Sequence, residues 1–113
     1  DGPVYPRALG AREIAHAVPD AGDRETVNRI IFDELVAGII KAESRAAYIA
    51  IIERLRGKGC DAVALVCTEI PLLVTPDVSS LPTLDSTRLL AKAAFDVASG
   101  ARQLPTWRGG PVG

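Results

Sequence analysis

The spacing of apolar positions changes several times along the chain, and each change marks an element. Arg12 to Val18 alternates weakly, with Ile14, His16 and Val18 on one side, and stops at Pro19-Asp20, which predicts a short strand. From Asp23, read as an N-cap, Val27, Ile30, Ile31 and Leu35 follow helical spacing as far as Gly38, a C-terminal stop. A second helix is expected from Glu43 to Arg56, where Tyr48, Ile51, Ile52 and Leu55 recur at i, i+3, i+4 and i+7 before Gly57-Lys58-Gly59. Asp61 to Val66 is too short for a helix between such breakers and shows no alternation, so it is expected to be a strand covered on both faces, as in a parallel sheet. Pro71 suits the first turn of a short helix through Val74. Leu81 to Leu84 reads as a brief strand, and Ser86 as the cap of a last helix carrying Leu89, Leu90, Ala93, Ala94 and Val97 before Gly100.

Strands alternating with helices predict an α/β fold, a largely parallel sheet flanked by helices, whose ligands sit beyond the carboxyl ends of the strands. Residues 1–100 are expected to form this lobe. Residues 101–113, rich in Gly and Pro and without periodicity, are expected to form an irregular surface tail in which Trp107 acts as a packing anchor.

Length and charge narrow the partners. A chain of 113 residues suits one domain and is small for a complete two-lobed enzyme; it opens on Asp1 rather than Met, so a piece of something longer is one expectation. Charged residues make up 24% of the chain, the formal net charge is -1, and like charges never run beyond two, which argues against nucleic acid and anionic membranes as partners. The apolar runs fall far short of the roughly 20 residues of a membrane helix, and no basic-then-apolar signal opens the chain, so a soluble protein is expected.

The two cysteines flank the predicted strand 61–66. At about 3.3 Å per residue their Cα atoms lie on the order of 23 Å apart, whereas a disulfide needs less than about 7 Å. Free thiols are therefore expected, which suggests a cytoplasmic protein, and no Cys or His cluster with metal-ligand spacing accompanies them.

The chemistry gathers at Asp61-Ala-Val-Ala-Leu-Val-Cys67-Thr68-Glu69-Ile-Pro71, an apolar run that stops at a thiol, a hydroxyl and a carboxylate before a proline. Two readings fit the residues alone. In one, Cys67 is a small buried apolar residue, Thr68 an N-cap and Glu69 a dipole partner. In the other, Cys67 at a helix N-terminus is a reactive thiol, Thr68 holds a substrate carboxylate, and Glu69 exchanges protons with the thiol or a substrate amine. Lys41, on the residues alone, reads as a solvated lysine at a helix junction. His16, the single histidine, reads as a packed or surface residue.

Cys67-Thr-Glu-Ile-Pro-Leu-Leu followed by Leu84-Asp85-Ser86-Thr87, and Asp23-Arg24 with Ile30-Ile31-Phe32-Asp33-Glu34-Leu35 and Glu43-Ser44-Arg45 before it, resembles the C-terminal half of the aspartate/glutamate racemases. The likeness runs from about Val18 to Val97. It implies one lobe of a two-lobed, cofactor-independent isomerase in which a cysteine on each lobe faces the substrate Cα. Cys67 then matches the second-lobe cysteine, Glu69 the neighbouring acid/base residue, Thr68 a substrate-carboxylate contact, and Lys41 the lysine that pairs with the distal carboxylate of a small acidic amino acid. The chain departs from the pattern by carrying Val66 where family members have Gly, and the matched motifs include no first-lobe cysteine. The resemblance thus implies a partner, either a missing N-terminal lobe or a second copy of the chain in a homo-oligomer. Relatives with the same cysteine geometry decarboxylate arylmalonates, isomerise maleate or racemise hydantoins; those reactions, and a truncated lobe that only dimerises, are the alternatives.

Overall fold

Helices α2 (Ala21–Asp33) and α3 (Ala42–Gly57) pack through the apolar stripes that their spacing predicts, and polar ties close the seam. Ile30 of α2 is fully buried, and Tyr48, Ile51, Ile52 and Leu55 form the buried face of α3. Arg54 of α3 reaches back to Asp23 with two N–H donors, at 2.8 and 2.6 Å, and Lys58 Nζ meets Asp20 at 2.6 Å. The N-cap of α2 is therefore Asp20 rather than Asp23. Asp23, one turn on, serves as the bidentate acceptor of Arg54, whose donors hold the Asp23 carboxyl below its ordinary value of 3.8.

In this computed structural model, which describes residues 2–104, α2 runs into a single 3-10 turn at Leu35–Ala37 and stops at Gly38. Gly38 has φ +74°, a left-handed backbone that glycine adopts without penalty, which accounts for the stop.

Strands β1 (Val63–Leu65) and β2 (Thr83–Asp85) form a two-stranded parallel sheet. Val63 pairs with Thr83, Ala64 with Leu84 and Leu65 with Asp85. Leu65 enters the core, whereas Ala64 is exposed and its cross-strand partner Leu84 is largely so. The expectation of cover on both faces is thus corrected: α2, α3 and the short helix α4 (Ile70–Leu73) supply apolar cover to one side. The second strand begins two residues later than expected, because Leu81 turns into the core and Pro82 offers only its carbonyl, which accepts the Val63 N–H at 2.9 Å.

Two further expectations change. The segment Arg12 to Val18 is not a strand. Helix α1 (Val4–Gly10) precedes it, a turn with Glu13 at φ +57° follows, and Ile14, His16 and Val18 are all exposed. Alternation yields a strand only beside a ladder partner and over a core, and among the described residues this segment has neither. The last helix, α5 (Ser86–Ala98), is capped by Asp85, whose Oδ1 accepts from the N–H groups of Thr87 at 2.9 Å and Arg88 at 3.2 Å. Ser86 instead donates to the Leu65 carbonyl at 3.2 Å and ties the two strand ends together. Asp85→Ala is expected to cost about 1 kcal/mol in a urea titration, with Asp85→Asn largely preserving the cap. A smaller loss than that of Ser86→Ala would return the cap to Ser86.

Against the described residues α5 buries no side chain, and Leu90 and Phe95 are 72% and 70% exposed. Trp107 and most of the expected tail lie outside the described residues. Among the described residues, no helix is long and apolar enough to cross a membrane.

Candidate active site

The register of the sheet brings two loops to one edge. Because Leu65 stands beside Asp85, the residues that follow β1, Val66 to Glu69, emerge next to Asp85-Ser86. Cys67 is half-buried against the core, Thr68 is exposed and Glu69 is half-buried. The three are joined to one another: the Glu69 N–H donates to Cys67 Sγ at 3.5 Å, and Thr68 Oγ1 donates to Glu69 Oε1 at 3.0 Å. The helix that follows has four residues. A single turn carries little macrodipole, so the field expected at Cys67 comes from one aimed N–H rather than from a helix.

Tyr48 was legible only as a member of the core stripe of α3. Its phenol is pushed up to about 12, first by burial and then by the nearby Cys67 sulfur, so it stays neutral at physiological pH. It donates to the Val27 carbonyl at 3.3 Å, which fixes the ring in the apolar layer that Cys67 packs against. Cys60, at the other end of β1, is also free and half-buried.

Lys41 belongs to a second group. It stands at the N-cap of α3 and its Nζ lies 3.4 Å from Glu34 Oε1. Among the described residues no hydrogen bond or ion pair joins it to Cys67, Thr68 or Glu69. Glu34 is only 6% exposed and accepts from Ser44 Oγ at 2.5 Å, while Arg29 approaches at 3.7 Å. The Ser44 hydroxyl, then the Lys41 ammonium, hold the Glu34 carboxyl below its ordinary 4.5 despite the opposing effect of burial. Because the folded value is lowered, this carboxylate adds stability above pH 4.5, and that contribution is lost as the pH falls through the lowered value. Sequence reasoning missed Glu34 and Ser44 because they are ten positions apart, on different elements. Among the described residues, no group of three His, Cys, Asp or Glu side chains gathers closely enough to hold a metal ion.

The family model for Asp/Glu/hydantoin racemases matches residues 1–94. This chain belongs to that family. A crystal structure from Yersinia pestis, described as a candidate Asp/Glu racemase, is similar to this racemase-family chain at 41% identity with a TM-score of 0.82. The match covers 88% of this chain and 44% of that one, so the chain spans less than half the length of its structural relative. The α/β architecture of the racemase-family chain, with a small parallel sheet, agrees with that likeness.

Proposed function

We propose that this chain is one lobe of a cofactor-independent aspartate or glutamate racemase, with Cys67 exchanging the substrate α-proton. The observation that carries the reading is the closed triplet at the end of β1, where the Glu69 N–H points at Cys67 Sγ and Thr68 holds the Glu69 carboxylate. An N–H aimed at the sulfur supports negative charge on it while a proton is in transfer. When substrate binds, the exposed Thr68 hydroxyl turns its one proton from Glu69 to the substrate α-carboxylate, which frees the Glu69 carboxylate to exchange protons with the thiol or the α-amine. Lys41 takes the distal carboxylate through a charge-assisted hydrogen bond. Glu69 favours the amino-acid branch over hydantoin, maleate or arylmalonate chemistry, because a substrate without an α-amine has less need of a neighbouring acid/base group.

Inversion requires bases on opposite faces of Cα, and the triplet provides one. The second is assigned to the remaining lobe or to a second copy of the chain. The uncovered surface of α5 and the exposed pair Ala64 and Leu84 are the faces offered to either partner, a homo-oligomer included.

The test is to incubate the 113-residue chain with L-aspartate or L-glutamate in deuterium oxide, following Cα–H loss by NMR and chirality in the same sample. Exchange with retention is the expected result for one base on one face. Racemisation by this chain alone would place both bases in a dimer. Absence of both supports a lobe that binds without chemistry.

A further inference from the structure

The group around Lys41 contains a residue that distal-carboxylate binding does not by itself require. Glu34 is withdrawn from solvent, with Oε2 taken by Ser44 and Oε1 facing Lys41 Nζ and Arg29 Nη1. The two cations keep 49% and 57% of their side chains in solvent, so N–H donors remain free to face outward over a shallow depression of about 190 Å³. Two positive groups would by themselves attract a doubly charged anion more strongly than a singly charged one, since Coulomb energy scales with ligand charge. The carboxylate of Glu34 opposes that from a place where water screens it least, while Glu43 on the rim adds a second, solvent-screened negative charge.

We propose that Glu34 is a specificity-determining residue: by offsetting part of the positive field of Lys41 and Arg29, it makes the depression accept a singly charged carboxylate in preference to a doubly charged phosphate. The inference rests on the assignment of Lys41 to a distal carboxylate. Its logic is one of charge steps. Removing one negative charge from the site changes the attraction for a dianion by twice the change for a monoanion, so the ratio of the two affinities must move.

The probes are L-aspartate and O-phospho-L-serine, which share the α-amino-acid head and differ in the distal group. At pH 8 the phosphate is a dianion, because its second ionisation lies near 6. Binding is read by amide NMR titration of the 113-residue chain at low ionic strength. The wild-type chain is expected to prefer aspartate. Glu34→Gln, which keeps an acceptor for Ser44, should shift the affinity ratio toward phosphoserine about fivefold, as expected for one partly screened charge. Arg29→Gln, at an exposed position that leaves the core untouched, should shift it the other way and serves as the reading if Glu34→Gln does not fold. If Lys41→Ala weakens aspartate binding but neither charge variant moves the ratio, the role of Glu34 is overturned and that of Lys41 stands. If Lys41→Ala leaves aspartate binding unchanged, or the wild-type chain binds neither probe, the Lys41 assignment falls and this inference falls with it.

Discussion

Replacing Cys67 with serine is expected to slow solvent-deuterium exchange at the substrate Cα by about a hundredfold or more, the usual contribution of a positioned acid/base group. Serine preserves the size of the side chain and can still accept from the Glu69 N–H, so the loop has no packing reason to rearrange. What changes is proton affinity: a thiol ionises near 8.5 in its ordinary state, whereas an alcohol does not ionise in the accessible range and is a poor base. Cys60→Ser provides the control, because that thiol lies at the far end of β1 and should leave exchange within about twofold of wild type. The outcome that sinks the assignment is undiminished exchange in Cys67→Ser with loss in Cys60→Ser. Thr68→Val should act differently, by weakening substrate binding, since a lost hydroxyl contact is one of positioning.

The second large effect is on stability. Leu73→Ala is expected to cost about 2–5 kcal/mol, the range for emptying a fully buried leucine site. Leu73 has no exposed surface, and its carbonyl accepts Arg45 Nε at 2.9 Å, so α4 is fixed to α3 at this point by both packing and a hydrogen bond. Domains of this size are stable by about 5–15 kcal/mol, so the substitution removes a large part of the total. Urea unfolding measures it directly. A loss below about 1 kcal/mol would mean that α4 closes over the gap, in which case the Cys67 loop just before it should also shift and lose its bond to the Glu69 N–H.

The three long helices were readable because a 3.6-residue stripe is a local signal and needs no knowledge of the partner. The triplet Cys67-Thr68-Glu69 was readable for a related reason: its polar atoms bond to one another within three positions, so the break in the apolar run already contained the arrangement. The segment 12–18 misled because a strand is a relation between two segments, and its alternating residues found no second one. Asp85 and Ser86 are adjacent and both good caps; only the tertiary bond from Ser86 to Leu65 divides their roles. Glu34 was hidden for the opposite reason. A buried carboxylate is legible only when its donors are known, and here they come from Ser44 of α3, Lys41 at its N-cap and Arg29 of α2.

The pairing of Val63 with Thr83 also makes the site depend on a loop closure. Helices α2 and α3 form from neighbours in the sequence, whereas β1 and β2 meet only after residues 66–82 close into a loop, at an entropic cost on the order of 2–3 kcal/mol. Cys67, Thr68 and Glu69 all lie inside that loop. The place of the thiol therefore depends on that closure as well as on the helices, and removal of β2 from the chain is expected to leave most of the helical signal in circular dichroism while dissolving the arrangement around Cys67.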